Sequence, residues 1–317
     1  MINTYKPEGR LISTLQNQEY LSSLSALERA MDEERILEAT VLLCDSNLSL
    51  HVDLGGICGI ITREEALWCR EGEILKDIAV ISRVGKPVCF KITEIRTENG
   101  KPVAILSRRL AQLECMRNYL SLLSAGDIIP ATVTHMENFG AFVDIGCGIS
   151  SLLSVDCISV SRISHPSDRL SVGDKIDTVV KTIDHDSGRI FVSMRELLGT
   201  WEENAAEFEA GQTVAGIVRS IESYGVFIEL APNLAGLAEI RENTRDTQIA
   251  VVGEYVAVYI KSIIPERMKI KLVMIDSYKG TIPSKNLKYF IDTASTSHID
   301  RWRYSPEGSR KLIESVF

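Results

Sequence analysis

The chain has 317 residues and a formal net charge of −8. This acidic balance argues against a protein that holds duplex DNA by charge alone, although it leaves room for a local basic or aromatic site. Seven cysteines, an odd number that includes no C-x-x-C pair, argue against a disulfide framework or a zinc site. We expect free thiols, no metal or cofactor, and a cytoplasmic protein without a leader or an apolar run long enough to span a bilayer.

The first predicted element is a helix over residues 23–39. A serine start, an acidic body and the spacing of Leu24, Leu27 and Met31 are typical of a helix that leads into a folded unit. The residues before it are polar, and we expect them to form a loose tail.

Three stretches with one pattern follow, at residues 48–61, 139–153 and 224–238. In each, apolar residues alternate along a strand that meets a turn, and further strand patterns follow; the units are offset by about 85 to 90 residues. Each unit carries about five short strands, which suits a small closed barrel. The predicted inward residues are Leu50, Val52 and Leu54, then Ala141, Val143 and Ile145, then Val226, Ile228 and Leu230.

Helical stretches separate the units, at residues 108–123 and 194–211. The second carries Trp201 and Phe208 one heptad apart. Both stretches are too short for a coiled coil, and we expect them to pack on the barrels as linkers. The first places five apolar residues on one helical stripe, namely Leu110, Leu113, Met116, Leu120 and Leu123.

Two aromatic residues of the second unit break the rule that strands turn polar residues to water. Alternation turns Phe142, together with Asp144, outward, and Phe139 lies close by. A single outward phenylalanine is more often a packing residue under a loop or linker. The pair recurs in the third unit as Tyr224 and Phe227, however, and exposed aromatics stack on the bases of single-stranded nucleic acid with little sequence preference. RNA binding is therefore the favoured interpretation.

The second unit resembles the S1 RNA-binding domain, a five-stranded OB-fold. The resemblance is carried by F-G-A-F-V-D-I-G from Phe139, V-G-D-K-I from Val172 and I-D-H-D-S-G-R-I-F-V-S from Ile183. Three such units in tandem, over residues 36–275, are similar to the shorter bacterial members of the ribosomal protein S1 family. The third unit matches the S1 domain pattern in its first half. The first unit matches only in the order of its strands and the positions of its turns.

The resemblance implies an RNA site made of two aromatics, a histidine on the third strand, and an aspartate and an arginine around the last turn. Arginine can pair with a phosphate, and aspartate can accept from a base edge or a 2′-hydroxyl. Serine replaces the histidine in the second unit, where the positions hold Phe139, Phe142, Ser154, Asp184 and Arg189.

The other two units depart further from that pattern. Half of the site is altered in the third unit, which holds Tyr224, Phe227, Glu239, Ile264 and Lys269. The pattern is lost in the first unit, which holds Leu48, His51, Thr62, Arg96 and Val103. His51 is outward, and contact with RNA and contact with a partner are equally good interpretations of it.

Other titratable groups are better explained by structural roles than by a metal or catalytic site. Asp184, His185 and Asp186 suggest a metal site, but D-H-D-S-G-R is better explained as a polar hairpin turn. His165 precedes a proline and is better explained as loop scaffolding. Because no nucleophile, zinc-protease or phosphate-loop motif is present, we predict a protein that is not an enzyme and takes no small-molecule substrate.

The C-terminal segment interleaves basic and aromatic residues. Such a segment either extends an RNA track or docks on the third barrel, and docking through Phe290 and Trp302 as a helix-and-loop tail is favoured. The basic residues are Lys279, Lys285, Lys288, Arg301, Arg303, Arg310 and Lys311, and the other aromatics are Tyr278, Tyr289 and Tyr304.

We therefore predict a mainly β chain of three tandem OB-fold barrels joined by helical linkers, with a helical N-terminal segment. The predicted segments are a tail and helix (1–35), a degenerate S1-like barrel (36–110), a linker (111–125), an S1 domain (126–196), a linker (197–210), a partly degenerate S1 domain (211–275) and a tail (276–317).

The predicted function is binding of single-stranded RNA, led by the middle barrel and helped by the third. The first barrel is predicted to be a protein-docking or scaffolding unit. By resemblance, the task is delivery of mRNA to the small ribosomal subunit. The alternatives are an RNA-binding regulator of RNA decay or stress, and a protein-interaction scaffold that binds no RNA.

Overall fold

The computed structural model describes residues 5–70, 72, 74–184, 187–240, 251–278 and 287–317, with residues 277 and 278 as backbone. These residues form three closed five-stranded barrels and a two-stranded sheet, which confirms the predicted mainly β class. No helix in this part of the chain has the length and apolar composition needed to cross a bilayer. Short 3-10 turns occur at Arg63–Glu65, Leu120–Leu122, Val155–Cys157, Pro166–Asp168, Arg195–Leu198 and Pro265–Arg267.

The first barrel follows two short helices. Its elements are α1 (Leu15–Tyr20), α2 (Leu24–Asp32), β1 (Leu37–Cys44), β2 (Leu50–Asp53), β3 (Cys58–Ile61), α3 (Asp77–Ile81), β4 (Pro87–Glu98) and β5 (Lys101–Ser107). The strand order is β1-β2-β3-β5-β4, with β3 and β5 parallel. The helix predicted over residues 23–39 is too long, because Glu34 adopts a left-handed φ of 52° and the Arg35 N–H bonds back to the Ala30 carbonyl at 2.9 Å.

The segment before α1 is packed rather than loose, which corrects the prediction for residues 5–14. The Glu8 carboxylate accepts from Arg108 at 2.7 and 3.0 Å, and both side chains are almost fully buried. The Glu38 carboxylate accepts the Leu11 N–H at 2.8 Å. Buried charges of this kind are tolerated only when paired and hydrogen-bonded, so the segment is an integral part of the fold.

The linker helix α4 (Arg108–Asn118) packs through a face other than the predicted apolar stripe. Leu110, at the start of that stripe, is 37 % exposed. Gln112 accepts the Trp68 N–H at 2.8 Å and donates to the Cys147 carbonyl at 3.0 Å, so this polar residue must face inward. The buried residues of the helix are Arg108, Ala111, Gln112 and Cys115.

The middle barrel has strand order β10-β8-β7-β6-β9. Its strands are β6 (Ile128–Glu137), β7 (Gly140–Asp144), β8 (Ser150–Ser154), β9 (Lys175–Asp184) and β10 (Arg189–Ser193). Ala141, Val143 and Ile145 are buried as predicted. Asp144 was predicted to face solvent, but it is buried, because its carboxylate accepts the N–H groups of Glu8, Gly146 and Gly148 at 2.7 to 3.0 Å.

The third barrel has strand order β11-β12-β13-β15-β14 and is preceded by a short helix. The elements are α5 (Trp201–Ala205), β11 (Thr213–Glu222), β12 (Gly225–Ala231), β13 (Leu234–Glu239), β14 (Tyr255–Ile264) and β15 (Lys269–Tyr278). The helix predicted over residues 194–211 is broken at Gly199, which adopts a φ of 82°. The inward residues predicted in the first and third barrels are also buried.

The C-terminal segment forms a two-stranded sheet, β16 (Arg301–Arg303) with β17 (Glu314–Val316), rather than the predicted helix-and-loop tail. Docking on the third barrel is confirmed for Trp302, which joins that barrel's core cluster together with Tyr304. Phe290 lies instead against Gly199, where an added Cβ would come within 2.6 Å of its ring.

Asn233, in the turn between β12 and β13, ties these elements together. Its fully buried side chain donates to the carbonyls of Arg195 and Gly199, both at 2.8 Å, and accepts the Val160 N–H at 2.8 Å. The Tyr304 hydroxyl donates to the Asn233 carbonyl at 2.5 Å. Through its side chain and its backbone carbonyl, this one residue therefore joins the third barrel, the end of the middle barrel and the C-terminal segment.

Candidate nucleic-acid interface

The predicted aromatic pair of the middle barrel forms an exposed cluster. Phe139, just before β7, is 56 % exposed, and Phe142 on β7 is half-buried. Their ring centroids are 6.1 Å apart and the ring planes meet at 89°. Edge-to-face packing of this kind holds both rings in place while leaving the face of one ring open for stacking.

Gly140 sets the position of Phe139. An added Cβ on Gly140 would come within 2.6 Å of the Leu153 carbonyl oxygen and 2.9 Å of the Ser154 Cα. Only glycine therefore lets β7 approach β8 this closely. The Phe139 carbonyl accepts the Val155 N–H at 2.9 Å, which brings Phe139 beside the predicted contact Ser154. The Ser154 hydroxyl is bonded to Asp156, and this hydrogen bond lowers the pKa of that carboxyl.

Two aromatic groups of this surface were not among the predicted site residues. The His135 ring stacks on Phe142, with centroids 6.2 Å apart and planes 21° from parallel, and it is held by Glu137 at 2.7 Å. Phe191 of β10 lies opposite Leu152 of β8 in parallel register, and both are half-buried. In parallel strands opposed residues point to the same face, so Phe191 shares the outward face of Leu152.

The predicted aspartate and arginine meet at the turn between β9 and β10. Asp184 and Arg189 are directly opposed across the two strands. Asp184 also accepts the Ser187 N–H at 3.3 Å and the Ser187 hydroxyl. Arg189 is exposed and has the same strand phase as Phe191, so its guanidinium lies on the outward face, next along β10 from that ring.

The third barrel repeats the aromatic arrangement closely. Tyr224 and Phe227 have centroids 6.2 Å apart and planes at 88°. Both rings line one groove of about 580 Å³ together with Glu239 and Lys269, so the structure brings these predicted positions together. Lys271 occupies the place that Phe191 holds in the middle barrel, because it lies opposite Leu237 in parallel register.

Among its described residues, the first barrel has no such cluster. Leu48 adopts a left-handed φ of 62°, and His51 is bonded to Asp45 at 3.0 Å. Arg96 pairs with Glu98 at 2.5 Å, and Val103 is buried. This surface therefore offers neither stacked rings nor a free guanidinium at the positions that the family pattern uses.

Four residues considered from the sequence lie outside the described part of the chain. They are His185 and Asp186 of the D-H-D-S-G-R turn, and Lys279 and Lys285 of the C-terminal segment. Within the described part, no group of three or more His, Cys, Asp or Glu residues is arranged to hold a metal ion. The described surface of the middle and third barrels thus combines open aromatic faces with single basic groups, a chemistry that suits single-stranded nucleic acid.

Comparison with known proteins agrees with this chemistry. Residues 123–195 match the family model described as the S1 RNA binding domain. A small ribosomal subunit protein bS1 from Staphylococcus haemolyticus is 30 % identical over 302 residues, which cover 92 % of this chain and 73 % of that protein. A bS1 protein from Leuconostoc lactis is 32 % identical over 199 residues, or 60 % of this chain and 46 % of that protein. The chain thus matches about half to three quarters of the length of these relatives.

Proposed function

Because the chain belongs to the family of bacterial small ribosomal subunit proteins bS1, we propose that it binds single-stranded RNA and presents it to the small ribosomal subunit. The observation that carries the proposal is the edge-to-face aromatic pair on two barrels, Phe139 with Phe142 and Tyr224 with Phe227. Each pair offers a platform for stacked bases, worth about 1 to 3 kcal/mol per base. Messenger RNA is the proposed ligand, in the cytoplasm, and the chain acts by binding rather than by catalysis.

The barrels differ in their proposed tasks. The middle barrel is proposed to lead because Arg189, opposed to Asp184 across β9 and β10, shares the outward strand phase of Phe191. The third barrel contributes Lys269 to the groove that holds its aromatic pair. The first barrel is proposed to make protein contacts. It lacks the aromatic pair and exposes apolar side chains in the segment between β3 and β4, where Ile74 is 87 % and Ile78 66 % exposed.

Two measurements test the proposal. Titration of a labelled, unstructured single-stranded RNA with the full chain should give saturable binding, whereas a scaffold that binds no RNA gives none. Co-sedimentation with purified small ribosomal subunits should then place the chain in the ribosomal fraction. Saturable RNA binding without co-sedimentation would favour a regulator of RNA decay or stress that acts away from the ribosome.

A further inference from the structure

A cleft of about 540 Å³ continues the aromatic groove of the third barrel. The cleft and the groove share Ala235 and Met268 as lining residues, so the two form one continuous surface. The groove holds Tyr224 and Phe227. A strand whose bases stack on these rings can therefore continue along the same surface into the cleft.

The cleft is cationic, and its charges come from three separate parts of the chain. Arg162 follows the middle barrel's β8, Arg267 lies in the turn between β14 and β15, and Arg310 and Lys311 lie between β16 and β17. All four are exposed, and in the part of the chain that the structure describes none of them forms an ion pair. Among the described residues that line the cleft, Glu266 is the one acidic side chain.

The segment that carries two of these charges is held in a defined position. The Ser305 hydroxyl donates to the Lys311 carbonyl at 2.7 Å and accepts the Ile313 N–H at 2.8 Å. Tyr304 is buried beneath the cleft. Ser309 also lines the cleft, and its buried hydroxyl finds no hydrogen-bond partner among the described residues. A buried hydroxyl without a partner costs free energy, which a ligand rich in acceptors can relieve.

The groove itself is poorer in available positive charge. Lys271 lies 4.0 Å from Glu239, which offsets its charge, so Lys269 is left as the cation of the groove. Each base that stacks in the groove carries a phosphate, and guanidinium groups bind phosphate strongly. We propose that the cleft binds the backbone phosphates of the RNA strand whose bases occupy the groove of the third barrel. This inference rests on the proposed function of that groove.

The test is made in the full chain and neutralises the two cleft charges that the C-terminal segment supplies, as Arg310→Gln with Lys311→Gln. The matched control removes two exposed charges from the first barrel, as Lys86→Gln with Lys101→Gln. Binding of a labelled single-stranded RNA of about 15 nucleotides, long enough for more than one site, is measured from low to moderate salt. The cleft variant should bind about tenfold more weakly at low salt, and its slope of log K against log salt should be smaller by about 1.4, or about 0.7 for each lost phosphate contact.

Arg162→Gln provides a second variant on a different chain segment, so the result does not depend on the folding of the C-terminal segment. It should lower the slope by about 0.7. The inference is wrong if both variants keep the unaltered slope while Phe227→Ala still weakens binding, because RNA then uses the groove without the cleft. The inference is also wrong if the first-barrel control loses as much RNA affinity as the cleft variant, because the change in net charge alone then explains the weaker binding. Failure of the unaltered chain to bind RNA overturns the proposed function together with the inference.

Discussion

Phe139 meets Phe142 edge to face, with centroids 6.1 Å apart and planes at 89°, and Tyr224 repeats this geometry with Phe227 at 6.2 Å and 88°. In both barrels a buried glycine lies between the two rings in sequence, and an added Cβ would clash with the neighbouring strand. The glycine lets the strands approach closely, and the first ring of each pair is more than half exposed. Two independent barrels thus preserve the same exposed arrangement, which core packing does not require.

Phe142→Ala should weaken binding of single-stranded RNA by about 1 to 3 kcal/mol, because one stacking platform is removed from an outward position. Thermal stability should change little, because the half-buried ring packs against the outward rings of Phe139 and His135. RNA titration and a thermal melt of the same preparations check this. The matched control is Phe208→Ala, a partly buried ring packed on the third barrel's core. It should lower the melting temperature and leave the RNA affinity of the folded protein unchanged; the reverse pattern in the two variants means that Phe142 is a packing residue.

The three barrels should contribute unequally to RNA binding in the full chain. Phe142→Ala should cost the most RNA affinity, Phe227→Ala less, and His51→Ala nothing measurable. His51 is engaged by Asp45, and among the described residues it stacks on no aromatic ring. If one strand occupies both aromatic sites, each contact raises the effective concentration of the next. Removal of both Phe142 and Phe227 rings should abolish this gain, so that the double variant binds a long RNA about as weakly as it binds a short one. An equal loss from His51→Ala contradicts the aromatic basis of the site.

The barrels and the aromatic pairs could be predicted from the sequence because both depend on the alternation of apolar and polar residues along single strands. Side chains alternate along a strand, so Val143 and Phe142 take opposite faces whatever surrounds them. Asp144 shares the phase of Phe142 but is buried, because Glu8, 136 positions away, covers it. A contact between residues so far apart in sequence cannot be predicted from the pattern of neighbouring residues.

The linker helix α4 and the cationic cleft show the same limit. The apolar stripe of α4 was a reasonable interpretation of its spacing, but Arg108 faces inward because Glu8, 100 positions earlier, neutralises it. The cleft collects Arg162, Arg267 and Arg310 from separate segments. His135 was visible in the sequence, yet a single outward histidine has no periodic signature, and only its stacking on Phe142 marks it.

Asn233→Ala should reduce the free energy of unfolding by about 3 kcal/mol. The change removes the side-chain partner of three backbone groups, namely the carbonyls of Arg195 and Gly199 and the N–H of Val160. Urea denaturation followed by tryptophan fluorescence measures this loss of unfolding free energy, since Trp201 and Trp302 both lie in the core cluster of the third barrel. Asn47→Ala, at an exposed turn position, is the control and should have little effect. Similar stability of the two variants means that the buried amide is not a tie between these elements.

Asp144 should make the unfolding free energy depend on pH between about pH 4 and pH 7. Burial, together with the nearby Glu8 carboxylate, raises the pKa of Asp144 to about 7, whereas an unfolded aspartate titrates near 3.9. The folded chain therefore holds a proton that the unfolded chain has released between these values. Stability from this group is full below about pH 4 and is lost as the pH rises towards 7, at up to about 1.4 kcal/mol per pH unit.

The measurement is a series of urea denaturations from pH 5 to pH 8 on the unaltered chain and on Asp144→Asn. The unaltered chain should become less stable as the pH rises from 5 to about 7 and level off above that, and the variant should show a flatter profile because asparagine does not titrate. The slope is the relevant quantity, since the variant also weakens the bond to the Glu8 N–H and loses stability at every pH. Asp53→Asn, at an exposed turn where the carboxylate accepts the Gly56 N–H, is the control and should keep the unaltered slope. Parallel profiles for Asp144→Asn and the unaltered chain would mean that Asp144 remains ionised across the window and that its charge is balanced by Arg108.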